Sequence, residues 1–244
     1  MIVFPAIDLL GGKVVRLAQG DYERVTVYAE DPVAQAREFA AAGAEWLHVV
    51  DLDGARDGVP GNTAVISDIA REVDLPVQVG GGIRTLEALG GLAEAGVARM
   101  VLGTKLATDP GFVREAVSRF GGESIVAGVD ARDGMVAVEG WREGTATPAA
   151  DLVAELRDLG VRHLVYTDIS RDGMRTGVDI DAYEAIAEAA GFPVIASGGV
   201  STLDDFRELA AAGPDVMEGA ITGRALYEGA FKLKHAIRAA RGEY

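Results

Sequence analysis

The sequence predicts an α/β protein, a (β/α)8 barrel, and three observations carry that reading. Short β-branched runs alternate with longer helical patterns eight times along 244 residues. The strand runs are nearly all apolar, which requires burial on both faces and so a parallel sheet covered by helices. The chain also repeats itself: VQVGGGIRTLEAL at 77–89 returns as VIASGGVSTLDDF at 194–206, an offset of 117 from Val77 to Val194. A doubly wound open sheet explains the alternation equally well, but not a twofold repeat of four units each.

The elements follow in order. IVFPAI (2–7) opens the first unit, followed by the helical stretch DPVAQAREFAAAG (31–43), and WLHVVD (46–51) precedes TAVISDIAREV (63–73). PVQVG (76–80) leads to TLEALGGLAEAG (85–96), and ARMVLG (98–103) to DPGFVREAVSRFG (109–121). The second half runs SIVAGVD (124–130) with TPAADLVAELRDLG (147–160), then HLVYTD (163–168) with DIDAYEAIAEAAG (179–191). PVIASG (193–198) with TLDDFRELAAAG (202–213) and DVMEGAITG (215–223) with YEGAFKLKHAIRAAR (227–241) complete it. Most helical stretches open on Asp or Thr, often with Pro next, and many close on Gly, as helix caps require. The repeat extends to WLHVVD against HLVYTD and to Asp8 against Asp130, offset 122. We expect one domain over 1–244, built of half-barrels at about 1–121 and 122–244. The halves are expected to differ at His48, present only in the first, and at a longer loop bearing Trp141, present only in the second.

Composition narrows the function. At 244 residues the chain can bury roughly three quarters of its unfolded surface in one domain. A formal net charge of −15 excludes nucleic acid as an expected partner, because phosphate backbones need a basic face. Of 23 basic residues only Lys13, Lys105, Lys232 and Lys234 are lysines, a bias that reads as a GC-rich genome, with adaptation to salt as the second reading. With no cysteine, disulfides, thiol catalysis and thiolate-held metal are excluded. The chain has neither an 18-residue apolar run nor a basic leader before an apolar stretch, so a cytoplasmic protein without membrane contact is expected, monomeric by default.

In this fold, active sites form at the C-terminal ends of the strands. The third strand ends in GGGIRT (80–85) and the fourth in Gly103-Thr104; by the repeat, the seventh ends in SGGVST (197–202) and the eighth in Gly223-Arg224. Glycine at a strand-to-helix turn lets backbone N–H groups approach an anion. Gly81, Gly82, Gly103 and Thr104 on one side, and Gly198, Gly199 and Gly223 on the other, are therefore candidate phosphate cradles, with Arg84 and Arg224 adding charge. The competing reading is a set of tight turns with glycine at positive φ. Two seats across one mouth imply a small substrate with two phosphates.

Between them the repeat sets Asp8 and Asp130, two carboxylates suited to general acid–base work. A capping aspartate is the alternative for each. His48, His163 and His235 are isolated, and no metal-ligand spacing, serine elbow or Walker lysine occurs, so no metal or cofactor is expected. His48 reads either as a polar strand-end residue or as a core histidine. Arg56-Asp57-Gly58 and Arg171-Asp172-Gly173 are a further repeat pair, either of which forms a turn; Thr167, ending its strand with a hydroxyl, draws Asp172 toward the substrate. Trp141 reads as a stacking surface for a flat heterocycle or as a plug for its loop.

The segments FPAIDLLGGKVVRLAQGDY (4–22), HVVDLDGA (48–55), VQVGGGIRT (77–85), VLGTKL (101–106), GVDARDGMVAVEGW (128–141), TDISRDGMRTG (167–177) and VIASGGVSTLDD (194–205) together resemble the histidine-biosynthesis isomerases that act on phosphoribosylformimino-aminoimidazole carboxamide ribotide. The resemblance runs from residue 1 to about 230 and implies a TIM barrel catalysing a cofactor-free Amadori rearrangement of a bis-phosphorylated aminoaldose. It makes Asp8 the proton acceptor and Asp130 the proton donor. Thr167 and Asp172 match positions supporting the chemistry, Arg16 and Trp141 substrate-contacting ones, and His48 an auxiliary polar one. Two relatives are similar. The cyclase subunit of imidazole glycerol phosphate synthase has lysine-glycine-valine where this chain has RLAQGDY. A bifunctional isomerase that also accepts phosphoribosyl anthranilate resembles R-G-W where this chain reads Glu139-Gly140-Trp141, which speaks against dual activity. A barrel that binds phosphorylated ligands without turnover is the reading of another class, and the aspartate pair argues against it.

Overall fold

Twelve strands organise the protein in the computed structural model, which describes residues 1–18, 20–138, 143–172, 174 and 177–243. They are β1 (Ile2–Leu10), β2 (Lys13–Ala18), β3 (Asp21–Ala29), β4 (Leu47–Asp51), β5 (Val77–Gly80), β6 (Arg99–Leu102), β7 (Ile125–Arg132), β8 (Met135–Val138), β9 (Glu143–Pro148), β10 (His163–Asp168), β11 (Val194–Ser197) and β12 (Met217–Thr222). Eight of them, β1, β4, β5, β6, β7, β10, β11 and β12, pair in parallel and in that order. β10 bonds β7 and β12 bonds β1, so the ring closes as the expected (β/α)8 barrel.

Each barrel strand is followed by a helix on the outside. Asp31, Thr85, Asp109, Asp179 and Thr202 each accept a backbone N–H in the first turn of theirs, as the Asp/Thr starts suggested. One start differs. The helix Thr63–Glu72 has Asn62 at its N-cap, and the Asn62 side chain turns away to bond Asp51 and Asp53. Among the described residues no helix is long and apolar enough to cross a membrane.

Both faces of the ring are packed, so the barrel strands carry no simple polar alternation. Outward residues such as Ile7, Leu9, Leu47, Val49, Val79 and Val129 form the main core with the helices. Inward residues Phe4, Ala6, Val126, Val165, Ile195 and Ile221 fill the middle of the barrel. The N-terminal end is closed by a polar knot. Arg99 Nη1 donates to Glu218 Oε1 at 2.7 Å, His163 Nδ1 lies 2.8 Å from Glu218 Oε2, and the Arg99 guanidinium stacks 4.3 Å from the Trp46 ring centroid. Hydrogen bonding from His163, then the charges of His163 and Arg99, outweigh burial and hold Glu218 below the usual carboxylate range.

Two expectations are corrected. A long excursion is not confined to the second half: β1 runs into the hairpin β2–β3, just as β7 runs into β8–β9. The two are entered in matching register, Asp8 opposite Val15 and Asp130 opposite Ala137, Leu10 opposite Lys13 and Arg132 opposite Met135. Each turns on two residues at positive φ, Gly11 and Gly12 (57° and 77°) and Asp133 and Gly134 (51° and 76°), the backbone that tight hairpins need. Second, the stretch 227–241 is not one helix. Gly229, at φ 72°, separates a short turn of helix (Arg224–Tyr227) from the helix Leu233–Ala240.

Candidate active site

On β1 the inward parity of Phe4 and Ala6 continues to Asp8, which therefore stands inside the barrel at its C-terminal end. It is 8% exposed. From the neighbouring strand β2, Arg16 reaches across so that Nη1 donates to Asp8 Oδ2 at 2.6 Å. Burial raises the Asp8 pKa above the usual carboxylate range; the Arg16 charge opposes the rise and Asp172 adds to it. Asp172 itself is raised by burial, against the charges of Arg16 and Arg224. The loop after β10 thus brings a second carboxylate to the Asp8 side of the mouth. Arg16 also lies on the end of the eighth barrel strand, where a Cβ at Gly223 would stand 2.7 Å from Arg16 Nη1.

On β7 the inward parity of Val126 and Gly128 leads to Asp130. Its register neighbour on β10 is Thr167, which is paired in turn with Ser197 of β11. Asp130 lines a small cavity with Gly103, Thr104, Gly128, Val136 and Val138. The fourth-strand glycine and threonine expected to seat an anion therefore stand beside Asp130. β1 and β7 are first and fifth in a ring of eight, which puts Asp8 and Asp130 on opposite sides of the mouth.

The four paired glycines have a structural reason of their own. Gly81 and Gly82 have φ of 103° and 71°, Gly198 and Gly199 of 82° and 79°. A Cβ at Gly82 would meet the Gly54 carbonyl oxygen, and one at Gly198 the Asp168 carbonyl oxygen. The loops after the second and third strands, and after the sixth and seventh, are thereby pressed backbone to backbone. After the seventh strand, Asp205 already accepts the Ser201 and Thr202 N–H groups at 2.7 Å each. Gly103 is unlike these: nothing lies within 4 Å of a Cβ placed there.

The remaining candidates divide. Arg84 is exposed and its guanidinium lies on Gly58, where a Cβ would come within 2.5 Å of Nη1. Arg224 bonds Glu228 at 2.7 Å. His48 is inside the barrel, level with Ala6 and so one layer below Asp8; burial and then the Arg16 charge push its pKa down to about 4, which keeps the imidazole neutral. Trp141 and Gly173 lie outside the described residues. Asp51, which ends its strand as Asp8 nearly does, faces outward: its carboxylate accepts the N–H groups of Gly54, Gly61 and Asn62 and the Asn62 amide, and it organises its loop. Two features went unread in the sequence, the Arg16–Asp8 pair and Gln78, whose Nε2 lies 2.8 Å from His48 Nδ1.

The fold and site together define a closed (β/α)8 barrel whose mouth holds two opposed inward carboxylates among glycine-bearing strand ends, groups of the kind that exchange protons with a substrate. The chain belongs to the histidine biosynthesis protein family, whose model matches residues 2–232. It is 53% identical over 241 residues to 1-(5-phosphoribosyl)-5-((5-phosphoribosylamino)methylideneamino)imidazole-4-carboxamide isomerase from Desulfitobacterium hafniense, covering 98% of this chain and 96% of that one. It is 51% identical over 239 residues to the isomerase of the same name from Paracoccus denitrificans, with 98% and 99% covered. The like-named isomerase of Hahella chejuensis is 50% identical over 237 residues, with 97% of each covered.

Proposed function

We propose that this protein is the Amadori isomerase of histidine biosynthesis, converting the bis-phosphorylated aminoaldose named in its relatives into the aminoketose. The single observation that carries the chemistry is the pair Asp8 and Asp130, inward-facing at the ends of the first and fifth barrel strands. An aldose-to-ketose shift proceeds by giving a proton to one atom of the sugar and taking one from another, which a donor and an acceptor within reach of the sugar supply, and no electron leaves the substrate.

Asp130 protonates the ribose ring oxygen, and the ring opens to a Schiff base. Asp8 then removes the C2′ proton to give an enolamine, which takes up a proton at C1′ and loses its C2′ hydroxyl proton as it becomes the ketone. A carboxylate raised by burial is the better proton acceptor near neutral pH, and the Asp8 environment supports that role. Thr167, in register beside Asp130, and Asp172, near Asp8, support the two carboxyls. Gly103 and Thr104 seat one phosphate on the Asp130 side, and Gly198, Gly199 and Gly223 the other. Arg16 stands between Asp8 and the Gly223 seat, placed to meet the substrate from the β2–β3 hairpin. The reaction moves only protons and requires no cofactor.

The purified protein should isomerise the aminoimidazole carboxamide ribotide, with turnover of phosphoribosyl anthranilate at least about 100-fold lower in kcat/KM. Absence of turnover on the first ribotide overturns the assignment. Comparable rates on both establish the bifunctional enzyme instead.

A further inference from the structure

His48 and Gln78 are register partners on β4 and β5, and both point into the barrel. Gln78 is 0% exposed and His48 8%. Among the described residues the Gln78 amide makes one hydrogen bond, Nε2 to His48 Nδ1 at 2.8 Å, and its buried Oε1 meets no partner. An unmet buried carbonyl destabilises a fold, so a buried glutamine that keeps one invites a reason other than packing. The matching positions at offset 117 sharpen the point. They are Val165 and Ile195, also register partners on adjacent strands, and both belong to the apolar filling of the barrel. Where one half fills this layer with hydrocarbon, the other places a polar pair. The two polar residues occur together and are absent together.

The imidazole is neutral, so one ring nitrogen carries hydrogen and the other does not. An N–H donor on Nδ1's side requires Nδ1 to be the bare acceptor and places the proton on Nε2. Nε2 meets no hydrogen-bond partner among the described residues. We propose that Gln78 is a positioning residue: it fixes His48 as the Nε2–H tautomer, presenting a neutral donor to a sugar oxygen on the Asp8 side of the mouth. The substrate part of this inference rests on the isomerase reading. The tautomer does not.

The test has two arms. Long-range proton–nitrogen NMR of the ligand-free protein should show His48 with a pyrrole-type Nε2 and a pyridine-type Nδ1. Gln78→Leu keeps the volume close and removes the unmet carbonyl. It should melt no lower than the wild type, yet lower kcat about ten-fold with KM changed less than about two-fold. In a His48→Ala background the same substitution should have no further effect on kcat. An Nδ1–H tautomer in the wild type, an unchanged kcat in Gln78→Leu, or an equal loss with and without His48 overturns the proposal. Failure of the wild type to turn over the ribotide would overturn the isomerase reading alone, and the NMR arm would still decide the tautomer.

Discussion

The two carboxylate ends of the barrel, at Asp8 and at Asp130, share a backbone and differ in almost every side chain around it. Each aspartate ends an inward row and opens an antiparallel hairpin in the same register, and each half of the barrel carries a pair of pressed glycine loops. Around Asp8 stand Arg16, Asp172 and the His48–Gln78 pair; its neighbour on β4 is Val50. At the matching places around Asp130 the hairpin carries Val138 instead of Arg16, the strand layer Val165 and Ile195, and the register neighbour is the hydroxyl of Thr167. The halves therefore hold two identical acids in unlike surroundings. That is the arrangement a donor and an acceptor need, because groups in equal environments titrate together. Scaffold symmetry positions the pair, and in the proposed reaction its broken decoration is what divides the labour.

The strongest way to break this comparison is to neutralise each acid without changing its shape. Asp8→Asn and Asp130→Asn should each lower kcat by about a thousand-fold or more while far-UV circular dichroism stays that of the wild type. If either variant keeps near-normal turnover, the division of labour is wrong on that side. A smaller effect separates the glycines. Gly82→Ala drives a Cβ into the Gly54 carbonyl at positive φ and should cost stability outright, whereas Gly103→Ala meets nothing within 4 Å. Gly103→Ala should leave the melting temperature unchanged and raise KM about five-fold, through crowding of the proposed phosphate seat. An unchanged KM would remove Gly103 from that seat.

The eight strands, their helices and the closed ring were legible because apolar runs, caps and the internal repeat agree with one another. The two hairpins were not recognised, although Gly11-Gly12 and Asp133-Gly134 are the dipeptides that tight hairpins favour; β3 has Val25 and Val27 exposed and lacks a buried face to advertise a strand. The Arg16–Asp8 pair followed from that omission, since it exists only because β2 folds back on β1. Asp8 and Asp51 looked alike as strand-end acids. Parity separates them, Asp8 following inward Phe4 and Ala6 and Asp51 following outward Leu47 and Val49, but with both faces apolar the parity has no signal in one sequence. Gln78 was hidden for the same reason, one polar letter in a strand whose faces cannot be told apart. The paired glycines were read as phosphate cradles with tight turns as the competing reading, and their positive φ and the contacts they permit between loops account for them at the level of the fold.

The opposite end of the barrel supplies the last contrast, where charge serves stability and not turnover. At the mouth, Asp8 and Asp172 have pKa values raised by burial, so their ionisation at neutral pH opposes folding. At the base, Glu218 is held low by His163 and Arg99. A carboxylate depressed in the folded state adds stability above its unfolded pKa, about 4.3 for Glu, and loses that contribution as pH falls through the folded value. Glu218→Gln leaves Arg99 and His163 without their shared carboxylate and should cost roughly 3 kcal/mol at pH 7, a drop of roughly 8 °C in melting temperature for a chain of this size. The gap between wild type and variant should shrink as pH is lowered below the carboxylate range, because the wild type alone loses the contribution. Turnover at temperatures well below melting should stay within about two-fold, since Glu218 sits beneath the apolar filling of Phe4, Val126 and Val165 that separates it from the mouth. A gap that widens in acid would give Glu218 the wrong sign. A large loss of turnover in the folded variant would mean that the base of the barrel is coupled to its mouth and that the separation of stability from chemistry fails.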